Sequence, residues 1–134
     1  MRFFVLFSAA VACSACATTQ PTSSEPVARA ELAATGETSV YDALRSLRPD
    51  WIRRTLDAPA MGIARRAGDP PPSATAVACL AMAYVGDEPA EEEDLRRRPL
   101  EDVLEVRLIP PRARRPDGSR CTHDRPAIHV VVLG

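Results

Sequence analysis

The sequence predicts an α+β fold, with one or two N-terminal helices packed on a small sheet of three or more strands. Apolar residues recur at helical spacing over 39–56, alternate with polar ones over 103–109, and form a run rich in Val and Ile over 127–133. The chain has 134 residues, which is enough for one small domain and not for two.

The N-terminal segment has the pattern of a bacterial lipoprotein signal. Arg2 precedes an apolar run over 3–12, followed by small residues and two cysteines, Cys13 and Cys16. The run is too short for a bilayer-spanning helix, which needs about 20 apolar residues. We expect a signal peptide over 1–15 with lipidation at Cys16. Cys13 is the alternative lipidation site, and an ordinary secretory signal without lipid is the alternative to both.

The predicted signal implies a place in the bacterial cell envelope, with a lipid holding the chain to a membrane. Ala17, rather than Asp, follows Cys16. By resemblance to the known sorting pattern, this residue implies the outer membrane, on either the periplasmic or the surface face. Residues 16–38 are rich in Thr, Ser and Pro without periodicity, so we predict a disordered tether there and a folded domain over 39–134.

Composition excludes several function classes. The formal net charge of −1 provides no field for steering nucleic acid, and we expect no nucleic-acid partner. All the basic residues are arginine, so a Schiff-base lysine and a phosphate-binding P-loop lysine are both excluded. Beyond the signal the aromatic residues are Tyr41, Trp51 and Tyr84, so the core is expected to consist mainly of aliphatic side chains.

The helical pattern over 39–56 contains a proline that divides it. Thr38 or Ser39 can cap the N-terminus, and Pro49 lacks the N–H that a continuous helix would use. We therefore predict one helix that ends near Leu47 and a short second one that starts at Pro49. Residues 57–75 contain Gly and consecutive prolines and are predicted to form a loop.

The apolar run over 76–85 is predicted to be a strand covered on both faces, with a buried helix as the alternative. Gly86 and Asp87 then provide a turn. Residues 88–98 place acids before bases, which favours a short exposed helix, and Pro99 ends it.

The segment over 103–109 is predicted to be a strand with one solvent-exposed face, because apolar and charged residues alternate along it. Its apolar face is expected to carry Leu104, Val106 and Leu108. A polar loop over 112–125 and a last strand over 127–133 complete the fold.

Cys121 and His123 form a Cys-x-His pair, with Asp124 adjacent. As metal ligands they would need Cys79 and His129, but structural zinc sites usually show two closely spaced pairs, so we predict no metal site and no cofactor. We favour a Cys79–Cys121 disulfide, with two buried free thiols as the alternative. Cys121 beside His123 is conceivable as a nucleophile, but no oxyanion-hole motif is visible, and we predict no catalytic residue. His129 is expected on the wetter face of the last strand.

The segment 76–133 resembles the plug domain of TonB-dependent outer-membrane receptors. The resemblance is carried by YVGD at 84–87, by RPLEDVLEVRLI at 98–109 and by AIHVVV at 127–132. Residues 41–51 are similar to the helix that precedes the plug strands. Gly and Asp are reversed at the first turn, and the glycines usual before the last strand are absent.

The chain is too short to provide the strands of a barrel, so the resemblance implies a small plug-like module in the envelope and not transport. We expect a non-catalytic interaction module, anchored by lipid, that docks on another envelope protein. One alternative is a small envelope thiol enzyme or hydrolase that uses Cys121 and His123. The other is a purely structural lipoprotein without a specific partner.

Overall fold

The structure, a computed structural model, describes residues 24–59, 67–68, 70–71, 73, 79–121 and 124–134. The predicted signal peptide, with Cys13 and Cys16, lies outside these ranges. In chain order the elements are β1 (Val27–Ala28), α1 (Arg29–Ala34), α2 (Val40–Leu47), α3 (Pro49–Arg54), β2 (Ala83–Val85), β3 (Glu88–Ala90), α4 (Glu92–Arg97), a 3₁₀ helix (Leu100–Asp102), β4 (Val103–Ile109) and β5 (Ala127–Val132). The predicted α+β class, helices with a small sheet, is confirmed.

The five strands form one open mixed sheet in the order β1-β4-β5-β2-β3. β5 is antiparallel to β4 and parallel to β2. β2 and β3 form a hairpin in which Val85 pairs with Glu88. Gly86 has a φ of +60°, which a residue without a side chain adopts readily in this tight turn. The last strand in the sequence therefore lies in the middle of the sheet.

The predicted division of the long helical pattern is confirmed. The Ser39 hydroxyl accepts a hydrogen bond from the Asp42 backbone N–H at 3.2 Å and caps α2. α2 ends at Leu47, and Pro49 occupies the first turn of α3, where its missing N–H costs nothing. The turn directs Trp51 into the interior, where its side chain is fully buried.

The helices cover one face of the sheet and form the main core with it. The helical contribution includes Leu32, Leu44, Trp51 and Leu95, and the strand contribution includes Val27, Ala83, Val106, Ile128 and Val130. Arg48, between α2 and α3, lies with its guanidinium carbon 5.8 Å from the centre of the Trp51 ring. One of its nitrogens is 3.7 Å from the Glu31 carboxylate, so a cation links α1 to this junction.

The structured domain begins earlier than the predicted boundary at residue 39. β1 pairs with β4, with Val27 opposite Val106, and α1 follows directly. The Val27 and Leu32 side chains are both fully buried. The two-residue β1 and the six-residue α1 each bury one side chain, which is too few to show a periodic pattern in the sequence. The prediction of a disordered tether over 16–38 therefore missed both elements.

The predicted strand over 76–85 is much shorter in the structure. β2 comprises Ala83–Val85, whereas Cys79 and Leu80 are helical, and residues 74–78 lie outside the described ranges. Alanine has the highest helix propensity, so an alanine-rich run is a poor strand despite its apolar character. The exposed helix predicted over 88–98 is confined to α4, because β3 takes up Glu88–Ala90 first.

The predicted alternation of β4 fails at its start. The pairing with β5 shifts register between Val103 and Glu105, and Leu104 is 44% exposed. Val106 and Leu108 do pack on the main core as predicted. A β-bulge inserts one extra residue into a strand, so the side chains before and after it no longer alternate between the two faces of the sheet. The residue types in this segment do not predict the position of the bulge.

Replacing Trp51 with alanine should lower the free energy of unfolding by about 3–5 kcal/mol, because the side chain is fully buried among aliphatic neighbours. Urea unfolding followed by circular dichroism measures it. Leu104→Ala is the matched control and should cost under about 1 kcal/mol at its exposed position. Equal losses in the two variants would contradict this description of the core.

Candidate functional site: an apolar cleft with an acidic rim

A cleft of about 590 Å³ lies beside the β2–β3 hairpin. Three parts of the chain line it: Leu56 after α3, the segment that leads into β2, and the residues that connect β3 to α4. The lining residues are Leu56, Leu80, Ala81, Met82, Pro89, Ala90, Glu91 and Glu92. Its size is in the range of pockets that bind small molecules or several side chains of a peptide.

The wall formed by residues 80–82 is fixed at both ends. At one end the Met82 carbonyl accepts a hydrogen bond from the Ile128 N–H of β5 at 2.9 Å. At the other end Cys79 lies at disulfide distance from Cys121, with Cα atoms 5.4 Å apart. Cys121 is 3% exposed, so the attachment point is in the interior. The wall is therefore connected to the middle of the sheet and to the loop after β4.

The opposite side of the cleft is acidic. Glu91 precedes α4, and its backbone N–H donates to the Asp94 carboxylate at 2.8 Å. Glu92 accepts two hydrogen bonds from Arg96, at 2.9 and 2.6 Å. Arg96 in turn lies over the Tyr41 ring, 3.7 Å from its centre. The Glu92 charge is thus neutralised locally.

The two carboxylates that line the cleft, Glu91 and Glu92, form what we call the acidic rim. The ion pairs found in the described part of the chain include Glu92, which binds Arg96, but not the exposed Glu91. Glu91 therefore places one negative charge, without an ion pair in the described part of the chain, next to the apolar floor of the cleft.

β3 is an edge strand, but Pro89 protects it from pairing with another strand. Tyr84 and Pro89 are the second pair after the two-residue turn, a position at which the backbone groups face away from the partner strand. Pro89 has no N–H to present at this free edge. Main-chain pairing at the cleft is disfavoured, and the groups available for recognition are side chains.

The other face of the sheet is covered by the loop between β4 and β5. Gly118 donates its N–H to the Arg115 carbonyl at 2.9 Å, and the Arg115 N–H donates to the Ser119 carbonyl at 2.8 Å. This tight turn places the Arg115 side chain inside, with 2% exposure. The residue types here predict only a polar loop, because a pair of arginines before a proline gives no indication that one of them is buried.

The Arg115 guanidinium is only partly hydrogen-bonded. Nη2 donates to the Arg125 carbonyl at 2.9 Å, whereas Nε and Nη1 are buried without a partner. Burial lowers the pKa of Arg115. Burial, and secondarily the Asp117 charge, raise the pKa of Tyr84, which packs on this face of the sheet. The loop therefore holds a charge in an apolar setting.

The structure brings together two of the predicted site residues, Cys79 and Cys121. His123 lies outside the described residues. Asp124 pairs with Arg112 at 2.7 Å, and His129 lies opposite Tyr84 on β5, half-buried. Among residues 24–59, 79–121, 124–134 and the short stretches between them, no three His, Cys, Asp or Glu side chains form a metal-binding group.

The pKa of His129 is lowered, mainly by burial. A hydrogen bond to the Gly86 backbone opposes this shift, and the Arg107 charge adds to it. The nearby carboxylates of Asp87 and Glu105 act against the shift but do not reverse it. The neutral imidazole is therefore the form that the fold favours.

In the part of the chain that the structure describes, no helix combines the length and apolar character that a bilayer crossing requires. Comparisons with protein-family models, curated protein sequences and solved structures find no match for this chain. The plug-like module therefore stays a prediction from the sequence pattern.

Acidification should destabilise the domain through His129. In the unfolded chain His129 binds a proton near pH 6.5, whereas in the folded domain its pKa is lower. The stability that the domain has above pH 6.5 is therefore lost as the pH falls from 6.5 through the pKa of the folded state. In urea unfolding between about pH 7.5 and 5.5, His129→Gln should show a smaller loss than the wild type. Identical losses in both proteins would contradict this assignment.

Replacing Arg115 with methionine should raise the free energy of unfolding by about 1 kcal/mol. Each buried donor without a partner costs about 1–3 kcal/mol, and methionine fills similar space without a charge. Urea unfolding measures the change. Arg114→Met, at the exposed neighbouring position, should stay within about 0.5 kcal/mol of the wild type. A loss of stability in Arg115→Met larger than that of the control would contradict the prediction.

Proposed function

We propose that the protein is a lipid-anchored component of the bacterial cell envelope whose domain is a non-catalytic interaction module. The observation that carries this proposal is the open cleft, which combines an apolar floor with the exposed Glu91 carboxylate. Exposed apolar surface beside polar groups is typical of sites that contact another molecule.

The envelope location is supported by the N-terminal pattern and by the cysteines of the domain. Cys79 and Cys121 lie at disulfide distance, and we propose that they are oxidised in the mature protein. Disulfides persist in the periplasm and at cell surfaces but are rare in the cytosol. Cleavage before Cys16 would remove Cys13 and leave three cysteines. Cys16 would then carry the lipid, and Cys79 and Cys121 would form the disulfide.

The same pair disfavours the thiol enzyme that uses Cys121 and His123. A nucleophilic cysteine needs a free thiolate in a partly exposed, electropositive setting. Cys121 is 3% exposed and lies at disulfide distance from Cys79. Titration of the purified protein with a thiol reagent should find no reactive thiol before the disulfide is reduced. A reactive thiol of low pKa would instead support the alternative of a thiol enzyme.

Lipidation at Cys16 is tested by expressing the full chain in a bacterium that processes lipoproteins. Mass spectrometry should find an acylated N-terminal Cys16, and Cys16→Ser should release the protein from the membrane fraction. Cys13→Ser is the matched control and should leave both the lipid and the fractionation unchanged. An intact, unacylated Met1 on protein recovered from the cytosol would overturn the proposed location.

A further inference from the structure

We propose that the Cys79–Cys121 disulfide is a redox-sensitive latch that holds residues 110–121, the front part of the β4–β5 loop, on the sheet until a dithiol reduces it. This inference goes beyond the proposed function and rests on the oxidised cysteine pair proposed there. Two observations on this one segment carry it. Arg115 is buried with two donors unpartnered, and Cys121 lies at disulfide distance from Cys79.

The segment 110–121 has hydrogen bonds of its own. Arg114 and Arg120 pair across it as an isolated antiparallel bridge, and the Gly118 N–H donates to the Arg115 carbonyl at 2.9 Å. Both partners of each contact belong to the segment. It can therefore leave the sheet as a unit, without breaking the bonds that shape it.

The buried Arg115 guanidinium favours release of the segment. Its side chain is 2% exposed, and Nη2 donates to the Arg125 carbonyl, whereas Nε and Nη1 are buried without a hydrogen-bond partner. In the described part of the chain Arg115 forms no ion pair with a carboxylate. A buried charged donor without a partner loses its hydration and gains nothing in return. Release returns both donors to water.

The non-covalent contacts between the segment and the sheet are small. Ala113 packs against the buried Tyr84 and Ile109, and Tyr84 also has a side-chain hydrogen bond with Ser119. One methyl group covers little apolar area, so its contribution to the closed position is small. The bond to Cys79 restricts how far the segment can move away, and it therefore favours the closed position over the open one.

The two sulfur atoms differ in how easily a reductant reaches them. Cys79 is partly exposed, whereas Cys121 is 3% exposed, so a thiolate of the dithiol attacks the Cys79 sulfur. The bond between the two cysteines breaks, and its electron pair goes to the Cys121 sulfur, which takes a proton from water. The second thiol of the reductant then attacks the mixed disulfide and releases Cys79. Two electrons and, through water, two protons thus pass from the dithiol, which becomes a disulfide itself.

The test measures hydroxyl-radical labelling of Tyr84 by mass spectrometry, with the full chain purified in a non-ionic detergent. One sample stays oxidised, and the other is reduced with dithiothreitol, which is removed under argon before labelling. Tyr84 is fully buried under the closed segment, and reduction should raise its labelling rate by about fivefold or more. Tyr41, 4% exposed in the main core, is the internal reference and should change by less than about twofold.

A variant identifies the buried charge as the cause of opening. Arg115→Met removes the unpartnered donors, so the segment should stay closed after reduction and Tyr84 labelling should rise by less than about twofold. Arg114→Met is the matched control, because it removes the same charge from the exposed neighbouring position. The control should open on reduction to the same extent as the wild type. Circular dichroism confirms that both variants are folded before reduction.

Three results would overturn the latch alone. One is unchanged labelling of Tyr84 on reduction, and another is an equal rise at Tyr84 and Tyr41, which would mean that the whole domain unfolds. The third is equal opening of Arg115→Met and the wild type. Free thiols titrated before reduction would overturn the latch together with the oxidised pair of the proposed function. Lipidation at Cys16 is measured separately, so the two failures are distinguishable.

Discussion

The burial of the helical layer against one face of the sheet is the interaction on which the rest of the structure depends. Trp51 and Leu44 of the helices belong to the same core as Val106 and Val130 of the strands, and all four side chains are fully buried. With so few aromatic residues, aliphatic groups provide most of the remaining apolar area. Each of these side chains therefore contributes a large fraction of a small buried apolar area. The walls of the cleft keep their positions only while the helices stay packed on the sheet.

The two faces of the sheet are stabilised by different means. On the helical face the buried Arg48 lies against the Trp51 ring and near the Glu31 carboxylate. On the loop face the buried Arg115 guanidinium forms no ion pair with a carboxylate in the described part of the chain, and two of its donors lack a hydrogen-bond partner. Two of the contacts that connect this loop to the rest of the domain are the Cys79–Cys121 pair and the hydrogen bond from Arg125 to the Pro59 carbonyl. The ion pair of Arg112 with Asp124 joins the two ends of the loop to each other. The same cysteine pair attaches the wall of the cleft, so the loop and the cleft share one restraint.

The sequence predicts those parts of the fold that local chemistry determines. The Ser39 cap, the division at Pro49 and the last strand each follow from residue types within a few positions. The parts that it does not predict depend on distant residues. Val27 becomes a strand only because β4 offers a free edge, and Leu104 turns outward only because β5 sets the register. The cleft is of this second kind, since its lining residues are brought together by the hairpin and by α3.

The position of β5 in the sheet also restricts the order of folding. Among the described strands, β5 is the one that joins the pair β1–β4 to the pair β2–β3, so without it the two pairs share no ladder of hydrogen bonds. Strand pairings of high sequence separation form late and slowly. The sheet therefore stays in two halves until residues 127–132 are free to pair, and a chain that lacks β5 would have two separate pairs of strands instead of one sheet.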